Sequence, residues 1–149
     1  MDLQAKIMDA LKTAMKAKDQ TALTALRAVK SAILLAQTES GAQAELVEEQ
    51  ELKMLQKLVK QRKDSAAIYM GQGREDLAAP ELAEAEVISQ FLPEALSEDE
   101  IAKVIRQVVA QTGAQGMKDM GKVMGLVSQK LAGQADGKTI STLVKQILN

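Results

Sequence analysis

The residues best suited to chemistry in this sequence are lysines and glycines near its end, and they suit the binding of a polyanion. At about 100° per residue, Lys118, Lys122 and Gly125 fall on one face of a predicted helix, opposite its apolar residues. Lys138 and Lys145 share the polar face of the next predicted helix, whose start at Gly137 offers backbone N–H groups of the kind that bind phosphate. We therefore predict a polyanion-binding surface formed by Lys118, Lys122, Gly125, Gly137, Lys138 and Lys145.

Two glycines inside the first of these helices, Gly121 and Gly125, favour this interpretation. Each glycine lowers helix stability by about 1 kcal/mol relative to alanine in a helix interior. This cost indicates that a ligand or another part of a protein approaches this backbone closely. The alternative is that the first part of the chain packs against the glycines and the lysines are simply solvated.

Two arginines form a second candidate site. Arg62 falls on the apolar seam of a long predicted helix, where a charged group needs a carboxylate partner or a wet cleft. We expect a buried ion pair there rather than a ligand site, although Arg62 and Arg74 could share one anionic ligand.

Most catalytic chemistry is excluded by residue types. The chain has no Cys and no His, and therefore neither a thiol nucleophile, an imidazole base nor the usual zinc, iron or copper ligands. Two stretches, 116–122 and 133–139, are near misses of a phosphate-binding loop: Val123 replaces the hydroxyl residue in the first, and the second is one residue short. We expect no cofactor, no metal and no intrinsic enzymatic activity.

The composition predicts an all-α protein. Among the 149 residues aromatics make up 1%, and strong helix formers dominate. The N-terminus lacks the layout of a signal peptide, and no apolar run approaches the ~18 residues that span a bilayer. We expect a cytoplasmic protein that does not contact a membrane.

The elements that position these residues follow from apolar periodicity, caps and breakers. Seven helices are predicted: about 2–16, one capped by Asp19 and broken at Ser40-Gly41, 43–70, one opening at Pro80 and stopping before Pro93, one capped by Ser97 and ending at Gly113, 117–131, and one capped by Asp136. They divide into an N-terminal helical domain with one long helix, residues 1–93, and a C-terminal three-helix bundle, residues 94–149.

Charge is unevenly distributed along the chain. Residues 45–100 carry 6 basic and 14 acidic residues, whereas residues 101–149 carry 7 basic and 2 acidic. Such asymmetry indicates either a polyanion-binding end or docking of the acidic 80–100 segment on the basic tail.

Several sequence blocks, taken together, resemble the YqeY-like family. They are Leu26-Arg27 with 30–33, 60–65, 73–78, 91–93 with 96–98, 117–125 and 133–138. The family shares its fold with the tail domain of the B subunit of the tRNA-dependent amidotransferase, so the resemblance implies two helical domains, the second a three-helix bundle. One departure is Gln134, where the family usually has a basic residue.

For function, the resemblance implies a tRNA-associated binding module. Families of this kind often carry the label of a carbon–nitrogen ligase with glutamine as amido donor, but this chain lacks a nucleophile for that reaction. Any amidotransferase role would therefore require partner subunits, and the expected partners are tRNA, the amidotransferase or an aminoacyl-tRNA synthetase. The alternative is a protein-interaction module that binds a partner helix at the glycine-bearing face.

Overall fold

The computed structural model describes residues 2–39 and 45–149, and these residues form helices without strands. The elements are α1 (Leu3–Ala17), α2 (Gln20–Glu39), α3 (Glu48–Gly71), α4 (Glu75–Ser89), α5 (Glu98–Thr112), a 3₁₀ turn (Met117–Asp119), α6 (Met120–Lys130) and α7 (Gly137–Leu148). The predicted all-α class is confirmed.

Contacts between residues divide the chain into two compact units, one up to Leu92 and one from Pro93 onward. The first unit contains α1–α4 and the second contains α5–α7. Whether residues 94–149 fold alone stays a prediction.

The cores of both units are aliphatic. In the first unit, Ile7, Leu26, Val29, Leu55 and Ile88 are at most 2% exposed. In the second, the core consists of Ile101, Ile105, Val108, Val123, Val127, Leu131, Ile140 and Val144. Because each helix buries one apolar stripe, its opposite face is left to solvent.

Side-chain caps begin four of the helices, and three of them, at Asp19, Ser97 and Asp136, were predicted. Asp2 Oδ1 accepts a hydrogen bond from Ala5 N (2.7 Å) at α1, and Asp19 Oδ1 accepts one from Ala22 N (3.1 Å) at α2. Equivalent bonds join Ser97 Oγ to Glu100 N (3.2 Å) at α5 and Asp136 Oδ1 to Thr139 N (2.6 Å) at α7. Each satisfies a backbone N–H group that the first turn of a helix leaves without a partner.

The start predicted for α3 at residue 43 is wrong for the residues that can be checked. Residues 45–47 are not helical, and α3 begins at Glu48, where the Gln50 side chain accepts from Val47 N (3.1 Å). Leu46 packs against the first unit's core, which holds the chain off the helix axis. Residues 43 and 44, like the Ser40-Gly41 break, lie outside the described residues.

The start predicted for α4 is also wrong. The helix begins at Glu75, so residues 75–78 are not a loop and Pro80 lies inside the helix. The negative charges of Glu75 and Asp76 lie in the first turn of α4, where they interact favourably with the positive end of the helix dipole. The Arg74 carbonyl accepts a hydrogen bond from Ala78 N (3.1 Å). Since Pro80 is close to the N-terminus, its missing N–H removes only one helical bond.

A short turn joins α3 to α4. Gly73 adopts a left-handed conformation (φ 71°), and Arg74 N donates to Tyr69 O at 2.8 Å. This closes the end of α3 as predicted from Gly71 and Gly73, and it lets α4 pack back along α3.

No helix in the described part of the chain is long and apolar enough to cross a membrane.

Candidate functional site

The lysines predicted to bind a polyanion lie on the outer faces of α6 and α7. Val123 and Val127 of α6 and Val144 of α7 are fully buried, which fixes the rotation of both helices. Their opposite faces are exposed, and they carry Lys118, Lys122 and Gly125 at α6 and Gly137, Lys138 and Lys145 on α7. The structure therefore brings these predicted residues to the surface of one three-helix bundle.

The four lysines form no salt bridge within the unit that carries them. No ammonium nitrogen of Lys118, Lys122, Lys138 or Lys145 lies within salt-bridge distance of a carboxylate in residues 93–149. A lysine ammonium is a strongly hydrated point charge on a flexible stem, suited to phosphate oxygens in several geometries.

The start of α7 is less open to an anion than its sequence indicates. The Asp136 carboxylate already occupies the Thr139 N–H group, at 2.6 Å. A phosphate at Gly137 would face this negative charge. Binding at α7 would thus depend on the side chains of Lys138 and Lys145 rather than on the backbone at its N-terminus.

Gly121 and Gly125 are exposed and have open space beside them. A Cβ built on either glycine would have no atom within 4 Å apart from its chain neighbours and the nearby backbone of its own helix. Neither glycine is needed for packing inside the bundle, although each costs about 1 kcal/mol relative to alanine in a helix. Packing inside the bundle therefore does not account for glycine at these two positions.

Two loop contacts hold the ends of α5 and α6 in place. Gly113 ends α5 in the left-handed region (φ 69°), as predicted. Asp119 Oδ2 accepts from Gln115 N at 3.0 Å. The bond spans residues 115–119 and so holds the backbone around Lys118 in place.

Arg62 makes the ion pair that the sequence predicted. Its Nε lies 3.3 Å from Glu84 Oε1, and its Nη1 donates to Leu58 O at 3.2 Å. The two side chains are 15% and 18% exposed. The pair joins α3 to α4 within the first unit.

Arg74 is held by a different carboxylate. Its Nε and Nη2 donate to Asp76 Oδ1 (3.0 Å) and Oδ2 (2.9 Å). The hydrogen bonds from Arg74 lower the pKa of the Asp76 carboxyl below its ordinary value. A ligand shared by Arg62 and Arg74 stays a prediction, and it would have to compete with both carboxylates.

The sequence did not reveal an acidic cavity of about 320 Å³ in the first unit. Asp2 and Lys6 of the α1 region line it together with Glu48 and Glu51 of α3. Burial, then the charges of Asp2 and Glu48, raise the pKa of Glu51, while Lys6 opposes the shift. Among the described residues, no cluster of three metal-ligating side chains could hold a metal ion.

One family model matches almost the whole chain. The family model described as "Yqey-like protein" matches residues 4–148. The E subunit of the glutamyl-tRNA(Gln) amidotransferase of Thermococcus gammatolerans is 42% identical over 71 residues, which are 45% of this chain and 11% of that protein.

Two further relatives share the name "Altered inheritance of mitochondria protein 41, mitochondrial". The protein of Meyerozyma guilliermondii is 37% identical over 125 residues, 80% of this chain and 63% of its own length. The protein of Saccharomyces cerevisiae is 29% identical over 141 residues, 91% of this chain and 75% of its own. The chain thus spans less than two thirds of the first two of these three relatives.

Proposed function

Because the chain belongs to the Yqey-like family, we propose that it is a non-catalytic binding module that associates with tRNA. One relative is named as a component of a glutamyl-tRNA(Gln) amidotransferase, which supports the choice of tRNA over other polyanions. Since the match covers 11% of that protein, the amidotransferase reaction itself is not part of the proposal.

The observation that carries the proposal is the set of exposed lysines of the second unit, none of which is in a salt bridge within that unit. Lys118 and Lys122 lie about one helical turn apart, and Lys138 and Lys145 about two turns apart. Phosphates bound by these side chains would release condensed counterions, so the affinity would depend on salt more than on RNA sequence.

The exposed glycines give the same surface a second property. With no Cβ at Gly121 and Gly125, the backbone of a ligand can approach the α6 helix more closely than it could approach alanine. The lysines beside the glycines would then meet phosphates without being held away by bulky neighbours.

The proposal assigns no chemical step to this chain, because the sequence has neither Cys nor His. A role in amide transfer would come through partners such as an amidotransferase or an aminoacyl-tRNA synthetase. The cytoplasmic location stays a prediction.

The experiment is a titration of labelled total tRNA with the full chain, followed by fluorescence anisotropy at several salt concentrations. Substituting Lys118 and Lys122 together by glutamine should weaken binding for every tRNA and flatten the log–log salt slope by about 0.7 to 1 per lost contact. The matched control is Lys103→Gln, an exposed lysine of α5 in the same unit. Absence of binding at low salt, or equal effects of Lys103 and the lysine pair, would overturn the proposal.

A second candidate function is favoured by the open glycines alone: a partner helix docks at the Gly121 and Gly125 face. In that case Gly125→Leu abolishes the interaction, whereas neutral substitutions of the lysines and added salt change it little. The same set of variants therefore separates the two functions.

A further inference from the structure

A groove between α1 and α2 in the first unit lies outside the surface assigned above. Its volume is about 260 Å³, below the roughly 300–1,000 Å³ of pockets that enclose drug-sized ligands. Its floor contains Ile7 and Ile33, which are 1% and 5% exposed. The groove is an open channel between two packed helices, with room for a few aliphatic side chains.

Apolar side chains also form the rim of this groove. Met8 is 42% exposed and Leu34 is 65% exposed, and both line the groove. Met15 lies two turns after Met8 on α1 and is 54% exposed. Methionine is unbranched and flexible, and it is common on surfaces that adapt to helical partners.

The charge beside the groove has one sign. Lys30 is the single charged residue among those lining it, and Lys12 and Arg27 are exposed within a turn of Met8 and Lys30 along the two helices. Within the described residues none of the three is in a salt bridge. An occupant with apolar side chains and carboxylates would complement both the floor and the rim.

We propose that the groove docks an acidic amphipathic helix of a partner protein. Apolar side chains at positions i, i+4 and i+7 of that helix would enter between Met8 and Leu34. Glutamate or aspartate beside them would face Lys30, which would orient the helix and speed its association.

Other occupants fit these features less well. The segment 40–44 that follows α2 contains neither a large apolar residue nor a carboxylate, so it complements neither the floor nor the rim. A nucleic acid would leave the apolar floor without a partner. A membrane surface would contact the exposed rim residues but would not fill the concave channel between the two helices.

The test is selection of displayed 16-residue helices against the full chain. The library fixes leucine at i, i+4 and i+7 and allows glutamate, lysine or glutamine with equal frequency at the flanking positions. Helices that also bind the Leu34→Ser variant, which removes the apolar side chain without adding a charge, are removed by counter-selection. We expect the surviving helices to be net acidic.

The affinity of one surviving peptide is then measured by anisotropy. Leu34→Glu should weaken it about tenfold or more, because a central apolar anchor is lost. Its matched control is Leu35→Glu, a neighbour that is 61% exposed but does not line the groove. Lys30→Glu should also weaken binding. The control Lys57→Glu, at an exposed position of α3, should not. A peptide with lysine in place of glutamate should regain affinity for the Lys30→Glu variant.

Three outcomes would overturn the proposal. The first is that no helix survives counter-selection, or that survivors carry no excess of acidic residues. The second is that sedimentation shows a wild-type dimer that Leu34→Glu dissociates, which assigns the groove to a second copy. The third is binding to phosphatidylserine vesicles that Leu34→Glu abolishes, which assigns it to a lipid surface. Circular dichroism of each variant verifies that it is folded.

Discussion

Arg62 Nε lies 3.3 Å from Glu84 Oε1, and this pair connects the middle of α3 to α4 where both side chains are largely buried. Arg62, the charged residue on the apolar seam of α3, therefore makes an internal contact within the first unit. Its guanidinium is satisfied further by the carbonyl of Leu58, one turn earlier in the same helix.

Removing one partner of this pair should destabilise the first unit. We expect Arg62→Met alone to lower the free energy of unfolding by about 1–3 kcal/mol, because Glu84 would keep a poorly solvated charge. This is less than for fully buried pairs, since both side chains retain some exposure. The double variant Arg62→Met with Glu84→Leu should recover most of the loss in urea unfolding. Additive losses would contradict a direct pairing.

Glu51 should make stability depend on pH. Because its pKa is raised above the ordinary 4.5, the folded chain binds a proton more readily than the unfolded chain does. This contribution is present at low pH and is lost as pH rises from about 4.5 through the raised value. Glu51→Gln should remove that part of the pH dependence in urea titrations, whereas Glu49→Gln, in the same first turn, should not. Identical pH profiles for wild type and Glu51→Gln would refute the expectation.

The caps of the second unit should each contribute measurably. Asp136→Ala and Ser97→Ala remove hydrogen bonds to the first turns of α7 and α5, so each should cost about 1 kcal/mol in thermal or urea unfolding. Gln146→Ala, at an exposed position of α7, serves as the control and should change stability little. Caps without effect would mean that these helix ends are already frayed.

Residues 94–149 should fold without the rest of the chain. They contain three amphipathic helices around one aliphatic core, and domains of this size are within the range that folds alone. The fragment should show a helical circular dichroism spectrum and a cooperative melt. A largely unfolded fragment would mean that the second unit depends on the first.

Gly125→Ala should separate stability from binding. It should stabilise the second unit by up to about 1 kcal/mol, because alanine is the better helix former and the added Cβ meets no atom within 4 Å apart from its chain neighbours and the nearby backbone of its own helix. The same change should weaken tRNA binding if the ligand backbone needs the space. A variant that is both more stable and unchanged in binding would remove Gly125 from the proposed surface.

Much of the second unit could be predicted from local patterns. Ser97, Gly113 and Asp136 mark their helix ends with residue types whose effect is local, and the apolar stripes of α5–α7 are regular. The same holds for Asp19 in the first unit. These signals act within one helical turn, so they do not need knowledge of the neighbouring elements.

The features that the sequence did not predict are those that depend on contacts between helices or between a helix and a neighbouring turn. Pro80 has the residue type of a first helical position, yet α4 begins at Glu75, where the acidic residues and the turn after Tyr69 start it. Glu84 could be seen in the sequence but not paired with Arg62, because the pairing depends on how α4 packs along α3. The groove beside Met8 depends in the same way on how α1 and α2 lie together.

The chain's aromatic residues give its two units different optical properties. Tyr69, whose carbonyl closes the α3–α4 turn, is the sole tyrosine, and the chain has no tryptophan. Its intrinsic emission therefore monitors unfolding of the first unit alone, whereas far-ultraviolet dichroism reports the helices of both units. Comparing the two signals during one denaturation resolves the order in which the units melt, without a label or a truncation.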